Sequence, residues 1–446
     1  MNRKSVAPLR GLGGRTDQRK GKRIAARSGR ALKMPLLALL VFWIAACQDR
    51  QAESATAEEF ELTDQELREK AERLAHELIL VDTHIDIPYR LSEGWEDISR
   101  RTPGGDFDFP RARAGGLNAP FMAIYIPTSF QEAGGAREMA DQLIDMIEDF
   151  ETRWPDQCAV ARSPDEIRQN AEKGLISLPM GMENGAGIED DLSLLRHLYD
   201  RGIRYITLAH SRSNLISDSS YDTERRWNGL SPFGREAVAE MNRLGMMVDV
   251  SHISDEAFYQ VLETTEAPAI ASHSSCRAFT PGWERNMSDE MIQALARNGG
   301  AVCINFGSSF LRDDYRQNSQ VVQNKFAQFL NESGLAEDSP QAREHLERLR
   351  EEHPPAFADV ADAAAHIDHV VKLVGIDHVC LGSDFDGVGD SLPYGLKDVS
   401  EYPNLFYELL KLDYSENEIE KIASTNVFRV WEEVERVSAR LRMSVE

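Results

Sequence analysis

The residues best suited to chemistry in this chain are histidines and acids that directly follow short apolar runs. Four histidines and three acids share this placement: His84, His210, His252, His273, Asp86, Glu183 and Asp384. In a barrel of parallel strands, the residues just past the strands line one common face. The pattern therefore predicts a cluster of imidazoles and carboxylates, which is the ligand chemistry of a metal-dependent hydrolase.

The spacing within this set favours two cations. His84 and Asp86 are two residues apart, so an extended chain projects them to the same side. His252 and His273 end consecutive runs, which places them side by side, and Glu183 lies in a glycine-flanked turn where its carboxylate can bridge. Nitrogen and oxygen donors of this kind suit zinc. A water shared by two cations loses a proton near neutral pH and becomes a nucleophile.

Eight apolar runs could carry these side chains, and helix-like segments separate them. The runs are Leu78–Val81, Pro120–Ile126, Leu175–Met182, Ile203–Leu208, Met246–Val250, Ala269–Ser272, Ala301–Phe306 and His378–Gly382. Continuously apolar strands separated by helices indicate a parallel sheet covered on both faces. Eight such units predict an α/β fold, a (β/α)8 TIM-type barrel. Extra helices are expected after strand seven, over 307–358, and at the C-terminus, over 400–446, where they would pack on the barrel flank.

Charge is distributed unevenly along the 446 residues, which carry a net charge of −24. Residues 1–33 hold 11 Lys and Arg against one Asp, so the rest of the chain holds 39 basic and 73 acidic residues. Such an acidic body repels nucleic acid and anionic lipid surfaces. Neither is an expected partner.

The N-terminal segment is typical of an export signal. A basic stretch leads into an apolar run that is too short to span a bilayer and ends in Ile44-Ala45-Ala46-Cys47, which resembles a bacterial lipobox. We expect residues 1–46 to be a lipoprotein signal peptide, 47–62 a tether and 63–446 a single catalytic domain. Lipidated Cys47 would anchor the protein in the cell envelope, facing the periplasm, and Gln48 favours the outer membrane.

Four further cysteines show no C-x-x-C spacing: Cys158, Cys276, Cys303 and Cys380. Thiolate zinc sites and redox motifs are therefore not expected. Cys303 and Cys380 lie inside apolar runs and are predicted to be buried small hydrophobes. An oxidising compartment permits one disulfide, whose pairing the sequence leaves open.

Seven short motifs carry a resemblance to a known family. In order, they are Asp82-Thr83-His84-Ile85-Asp86, Met182-Glu183-Asn184, Tyr205-Ile206-Thr207-Leu208-Ala209-His210, Asp249-Val250-Ser251-His252, Ser272-His273-Ser274-Ser275, Arg285-Asn286 and Gly382-Ser383-Asp384-Phe385-Asp386-Gly387. With these motifs the chain resembles the membrane dipeptidases, the zinc peptidases of family M19 that include renal dipeptidase and its bacterial relatives. The resemblance runs from about Leu78 to Arg429.

The resemblance implies a ligand role for each matching residue. His84 and Asp86 would bind one Zn²⁺ ion, and His252 and His273 would bind the other. Glu183 would bridge them, which gives two Zn²⁺ per subunit. Relatives also suggest a homodimer.

The resemblance further implies how a dipeptide would be held and cleaved. His210 would lie over the substrate carbonyl and stabilise the oxyanion, and Arg285 would pair with the substrate carboxylate. Asp384 would take the proton of the attacking water and pass it to the leaving amine. A metal-bridging hydroxide would then hydrolyse free dipeptides, both L,L and L,D. A guanidinium that grips a carboxylate through two hydrogen bonds orients a free dipeptide and penalises longer peptides.

Three alternatives stay open from the residues alone. Spacing does not separate Asp384 from Asp386 as the proton-handling acid. A second binuclear barrel hydrolase, acting on lactones, cyclic amides or phosphoesters, would use a carbamylated lysine. The lysines between Val81 and Asp384 do not end strands, which counts against it; they are Lys173, Lys325 and Lys372. A lipoprotein that binds peptides without cleaving them would need no complete ligand set.

Overall fold

The computed structural model describes residues 62–444. These residues form one compact unit. The predicted signal peptide, Cys47 and nearly all of the predicted tether lie outside the described residues. Within residues 62–444, no helix has the length and apolar character needed to span a bilayer.

The described chain contains ten β-strands. They are β1 (Leu80–Ile85), β2 (Leu117–Tyr125), β3 (Cys158–Val160), β4 (Ile176–Leu178), β5 (Met180–Glu183), β6 (Ile203–Thr207), β7 (Met247–Asp249), β8 (Ile270–Ala271), β9 (Ala301–Ile304) and β10 (Val379–Leu381). Eight of them form one parallel sheet in the order β1-β2-β5-β6-β7-β8-β9-β10. The TIM-type barrel predicted from the sequence is confirmed.

The sheet closes on itself where β10 returns to β1. Just past the strand ends, the backbone N–H of Asp384 donates to the carbonyl of His84 at 3.0 Å, and that of Asp86 donates to Phe385 at 2.9 Å. The buried Asp82 carboxylate accepts from the Ser383 N–H at 3.0 Å and from the Tyr402 hydroxyl. These bonds bring the ends of the first and last strands together at the rim.

The predicted third strand, Leu175–Met182, is wrong as one element because it contains two strands. Its first part, β4, pairs with β3 in a separate two-stranded sheet, and its second part, β5, enters the barrel. Pro179 lies between them and has no N–H to donate, so a continuous ladder is interrupted there. The Pro179 carbonyl still accepts a hydrogen bond from the Met122 N–H at 2.8 Å.

Seventeen α-helices connect and cover the strands of the described chain. They are α1 (Asp64–Glu77), α2 (Ile87–Glu93), α3 (Phe109–Ala114), α4 (Ser129–Ala133), α5 (Ala136–Arg153), α6 (Pro164–Glu172), α7 (Ser193–Arg201), α8 (Pro232–Leu244), α9 (Asp255–Thr264), α10 (Asp289–Arg297), α11 (Ser308–Leu311), α12 (Asp313–Ser333), α13 (Pro340–Glu352), α14 (Val360–Val374), α15 (Tyr402–Lys411), α16 (Glu416–Glu420) and α17 (Asn426–Met443). Ser163 and Ser254 cap α6 and α9 by accepting a hydrogen bond from a backbone N–H of the first turn.

The helices expected after the seventh barrel strand, which is β9, are present in the structure. Helix α11 lies at the barrel rim, and α12 and α13 form a hairpin with a small apolar core of its own. Its buried members are Val322, Phe326, Ala342 and Leu349. A separate core makes this hairpin an addition to the barrel and not part of its wall.

The C-terminal helix α17 lies under the barrel, in contrast to the flank position predicted for the tail. The Arg429 guanidinium donates to the carbonyls of Gly299 and Asp377, and the Ser438 hydroxyl to that of Arg243. These carbonyls precede β9, β10 and β7, so α17 crosses the amino ends of the strands. Helix α15 does lie on the outside, against α1 and α14.

Apolar side chains of α17 fill the lower barrel interior. Trp431 is fully buried, and its ring centroid is 5.4 Å from that of Phe121 on β2. Tyr205 belongs to the same cluster. Because the barrel is filled from below, it is a packed core whose upper rim remains free for a site.

Two cysteines in this interior are joined by a disulfide, Cys303–Cys380. Their predicted burial is confirmed, and they form the one disulfide whose pairing the sequence left open. They lie opposite each other on the adjacent strands β9 and β10, with Cα atoms 4.1 Å apart. Cys158 and Cys276 are free and buried.

We expect Trp431→Ala to lower the free energy of unfolding by about 3–5 kcal/mol, because it removes a large side chain from a closely packed interior. Urea titration followed by circular dichroism measures this loss. Trp95, which is 49% exposed, supplies the control, and Trp95→Ala should cost about 1 kcal/mol or less. Equal losses in the two variants would contradict the assigned role of α17.

Candidate metal centre

The carboxylate of Glu183, at the end of β5, lies among four imidazoles. Its Oε1 is 3.0 Å from His252 Nε2, 3.2 Å from His273 Nε2 and 3.6 Å from His210 Nε2. Its Oε2 is 3.6 Å from His84 Nε2. The four histidines come from the ends of four different strands, so the barrel brings together residues that span 190 positions of the sequence.

Two further carboxylates lie beside His84. Its Nε2 is 3.5 Å from Asp86 Oδ2, and these two residues form a group with Asp384 in which the ligand atoms lie within 4.8 Å of one another. Two other such groups contain Glu183: one with His84 and His273, and one with His210 and His252. All seven sequence-predicted rim residues therefore converge.

The ring of His84 is held in one orientation by Tyr205. The Tyr205 hydroxyl donates its proton to the carbonyl of Thr83 at 2.9 Å. The same hydroxyl oxygen lies 2.9 Å from His84 Nδ1 and can therefore only accept a hydrogen bond from it. His84 Nδ1 therefore carries the proton, and the Nε2 lone pair faces Glu183 and Asp86. Gly181 makes room for the phenol, because a Cβ atom there would lie 2.0 Å from the Tyr205 ring.

His273 is oriented by a hydroxyl and a buried carboxylate. The Ser272 hydroxyl donates to Asp249 Oδ2 at 2.6 Å and is 2.7 Å from His273 Nδ1. Because the serine proton goes to the carboxylate, His273 Nδ1 must donate to the serine oxygen. The lone pair of His273 Nε2 then faces Glu183. Supports of this kind are typical of histidines that bind metals.

The donor set fits divalent cations. His84 Nε2 is buried and has no hydrogen-bond partner among the described residues. The Nε2 atoms of His252 and His273 are only 2.8 Å apart, and both face Glu183. Gly387 leaves space on the other side, since a Cβ atom would lie 2.2 Å from Asp86 Oδ2. Imidazole nitrogens and carboxylate oxygens converging in this way match the preferences of zinc.

Backbone geometry at the rim is locally unfavourable. His252 and Asp384 have positive φ angles of 69° and 65°, and neither is a glycine. Residues in such conformations cost free energy and persist only where the surroundings hold them. The strain lies at the two positions where the chain must turn a side chain into the cluster.

The structure distinguishes Asp384 from Asp386, the other candidate for the acid that handles the proton. Asp386 accepts from the Arg90 guanidinium at 3.0 Å and from the Asp106 N–H, so both of its oxygens are occupied. Asp384 instead joins the metal-ligand group and accepts one hydrogen bond, from Asn305 Nδ2 at 2.7 Å. Burial, followed by the neighbouring Asp86 carboxylate, raises the pKa of Asp384 to about 7. A carboxyl group with this pKa can both take up and release a proton near neutral pH.

A cavity of about 390 Å³ opens directly above the cluster. Its lining includes Asp86, Glu183, His210, His252 and Asp384. The rest of the wall comprises Asp386 together with aromatic, apolar and small residues: Tyr89, Tyr125, Tyr221, Ser309, Phe310, Gly387 and Val388. A small molecule in this cavity would lie in contact with the cluster.

His210 packs between this wall and the metal ligands. Its ring centroid is 4.8 Å from that of Tyr125 and 4.4 Å from that of His252. Burial lowers the pKa of His210 despite the nearby Glu183 carboxylate. A neutral imidazole carries one N–H, which is the donor that an oxyanion requires.

Arg285 lies beside the cluster and is 2% exposed. Its guanidinium donates to the Ser274 hydroxyl at 2.8 Å and to the His273 carbonyl at 2.8 Å, and its Nη2 is 2.9 Å from His252 Nε2. The charge also faces the Phe310 ring at 5.0 Å. Arg285 is thus fixed in position next to the cavity wall.

Sequence reasoning missed the residues that support the cluster. The supporting residues lie inside motifs in which only the histidines were candidate ligands, although each is a polar residue within an apolar run. They are Tyr205, Asp249 and Ser272. Nothing in the sequence marks Tyr221 as a site residue, because it lies in a loop that has no regular pattern of polar and apolar residues. His366 has no part in the cluster: its Nδ1 accepts from the Cys276 N–H at 3.0 Å and its Nε2 faces the Leu311 carbonyl.

Comparison with known proteins gives consistent matches. The family model for membrane dipeptidase (peptidase family M19) matches residues 68–445. Dipeptidase verJ of Clonostachys rogersoniana is 32% identical over 392 residues, which are 84% of this chain and 89% of that protein. The probable dipeptidase PvdM from Pseudomonas aeruginosa superposes with a TM-score of 0.72 at 28% identity, over 84% of this chain and 99% of that chain.

A second solved structure is a metallo peptidase from Rhodobacter sphaeroides that contains a phosphinate mimic of the dipeptide L-Ala-D-Ala. It superposes with a TM-score of 0.66 at 25% identity, over 80% of this chain and 99% of that chain. The family model covers the barrel from α1 to α17, including every residue of the cluster. The chain therefore belongs to the membrane dipeptidase family, peptidase family M19.

Proposed function

We propose that this protein is a dipeptidase with two Zn²⁺ ions per subunit that hydrolyses free dipeptides. The observation that carries the proposal is the convergence of four imidazoles on Glu183, beside Asp86 and Asp384, in a chain of a dipeptidase family. His84 and Asp86 would hold one ion, His252 and His273 the other, and Glu183 would bridge. Zinc supplies Lewis acidity and lowers the pKa of bound water.

The remaining side chains of the cavity provide binding and proton transfer. Asp384 accepts the proton of the attacking water and delivers it to the departing amine, a role that suits a carboxylate lying beside His84 and Asp86 at the cavity. His210 donates its N–H to the developing oxyanion, an interaction worth roughly 3–4 kcal/mol in comparable sites. Arg285 binds the substrate carboxylate, which favours free dipeptides over longer chains.

The proposed substrates are dipeptides with an L residue at the amino end and either an L or a D residue at the carboxyl end. A cavity of about 390 Å³ is the size of a small ligand site. The structural relative with the bound L-Ala-D-Ala mimic supports the D residue. The carbamylated-lysine alternative receives no support, because no lysine is among the residues that line this cavity.

Purified protein should hydrolyse Gly-Leu and Ala-D-Ala and leave a simple lactone intact, with about two zinc ions per chain by elemental analysis. Amine release measures peptide hydrolysis, and a pH-stat measures lactone opening. Hydrolysis of the lactone alone would favour the amidohydrolase-type alternative. Tight binding of dipeptides without turnover, at full metal loading, would favour a peptide-binding lipoprotein.

We expect Glu183→Gln to lose bound zinc and to reduce kcat at least about 10³-fold, because an amide cannot bridge two cations with the charge of a carboxylate. Zinc content after dialysis is the direct readout, since it does not depend on activity. Glu172→Gln, at an exposed position on α6, is the matched control and should retain both metal and turnover. A Glu183→Gln protein with full zinc content would rule out the bridging role.

We also propose that the protein is lipidated at Cys47, faces the periplasm from the outer membrane and forms a homodimer. The lipobox-like sequence before Cys47 and Gln48 after it support the anchor. Replacement of Cys47 by Ser should release the protein from the membrane fraction without changing kcat on a dipeptide. Fractionation followed by immunoblotting measures the release, and a Cys158→Ser variant should stay with the membrane. Membrane retention of the Cys47 variant would contradict lipidation.

A further inference from the structure

Tyr221 is a cavity-lining residue that the proposed mechanism does not use. It is 43% exposed and lies on the loop between β6 and α8. Its ring centroid is 5.8 Å from that of His252 and 6.4 Å from that of Trp283. His252 Nε2 is in turn 2.9 Å from the Nη2 atom of Arg285. Tyr221 therefore links the accessible cavity to a buried positive charge.

Arg285 alone offers little accessible surface to a substrate. It is almost fully buried, and its Nη atoms contact Ser274, His252 and His273. Its Nε–H is also buried and has no partner among residues 62–444. A carboxylate approaching from the cavity would meet the wall formed by Tyr221 and Phe310 beside this guanidinium.

The loop that carries Tyr221 is fixed to the metal-binding strand ends. The Ser219 hydroxyl donates to the carbonyl of His210, and the Ser220 N–H donates to that of His252 at 2.7 Å. Ser219 also forms a backbone bridge with Ile253. These contacts hold the residues on both sides of the cluster at a constant distance from Tyr221.

Arg225 ties the same loop to the segment that holds Arg285. Its guanidinium donates to the carbonyls of Ser219 and Asp222 and forms an ion pair with Glu284, the residue before Arg285. Glu284 also accepts from the Asp255 N–H at 2.8 Å, which fixes its carboxylate. Arg225 thus joins the loop of Tyr221 to the residue that precedes Arg285.

We propose that Tyr221 is a substrate-binding residue whose hydroxyl donates a hydrogen bond to the C-terminal carboxylate of the dipeptide, with Arg225 as its positioning residue. The inference rests on the proposed dipeptidase function. The Tyr221 phenol lines the cavity on the His252 side, where the Arg285 guanidinium also lies, and its O–H can donate to a carboxylate that this charge attracts. The C-terminal carboxylate of the substrate is then bound by the neutral phenol of Tyr221 and the cationic guanidinium of Arg285 together.

The test is a Tyr221→Phe variant assayed on Gly-Leu and on its C-terminal amide, used as a substrate or as a competitive inhibitor. Loss of one hydrogen bond to a charged group should raise KM for the free dipeptide about 10-fold or more, with kcat within about 2-fold. The amide offers only a neutral acceptor, so its kinetic constants should change clearly less than those of the free dipeptide. Tyr259→Phe, at an exposed tyrosine on α9, is the matched control.

Replacement of Arg225 by Gln should raise KM for the free dipeptide in the same direction, and Arg225→Lys should partly restore it. In the double variant that combines Arg225→Gln with Tyr221→Phe, the increase in KM should be smaller than the product of the two single increases, because both substitutions act on one contact. An active wild-type enzyme whose KM is unchanged by Tyr221→Phe would overturn the role of Tyr221 and leave the dipeptidase function intact. A wild-type enzyme that is inactive on all dipeptides would overturn both.

Discussion

The structure depends on keeping three carboxylates and four imidazoles together in a buried space a few ångströms wide. Glu183, Asp86 and Asp384 carry like charges, and burial of such a group is costly unless an opposite charge compensates for it. Divalent cations would supply that charge and would use the lone pairs that the histidines direct inward. The cluster is therefore a constraint on the whole fold, because its seven members arrive from the ends of six different strands.

The fold meets this constraint with the same device at two positions. Asp249 of β7 accepts from the Ser251 N–H of its own strand end and from the Ser272 N–H after β8. Asp82 of β1 likewise accepts from the His84 N–H and from the Ser383 N–H after β10. In each case a buried carboxylate fixes the exits of two neighbouring strands relative to each other. These bonds place the cluster residues that follow at defined positions, and the side chain of Asp249 also fixes the His273 ring through Ser272.

The barrel and the positions of its rim residues could be predicted from the sequence because both follow local rules. An apolar run that ends in His84 or His273 identifies a strand and its polar end in one pattern. The division at Pro179 and the Cys303–Cys380 pair could not be predicted in the same way, since each depends on which strands become neighbours and in what register. Tyr221 lay beyond prediction for a related reason: its position is set by contacts from Ser219 and Arg225 to residues far away in the sequence.

Stability and chemistry occupy opposite ends of the barrel, and the loop of Tyr221 shows why this separation is useful. At the amino ends of the strands, α17 and its buried Trp431 close the interior, so the rim does not have to supply the packing. The rim can then tolerate strained residues such as His252 and Asp384. The loop after β6 is held by hydrogen bonds to the backbone carbonyls of His210 and His252, and the Tyr221 ring lies beside that of His252. The strand ends that carry the cluster thus also position this loop, so a side chain such as Tyr221 meets the cavity at a defined place.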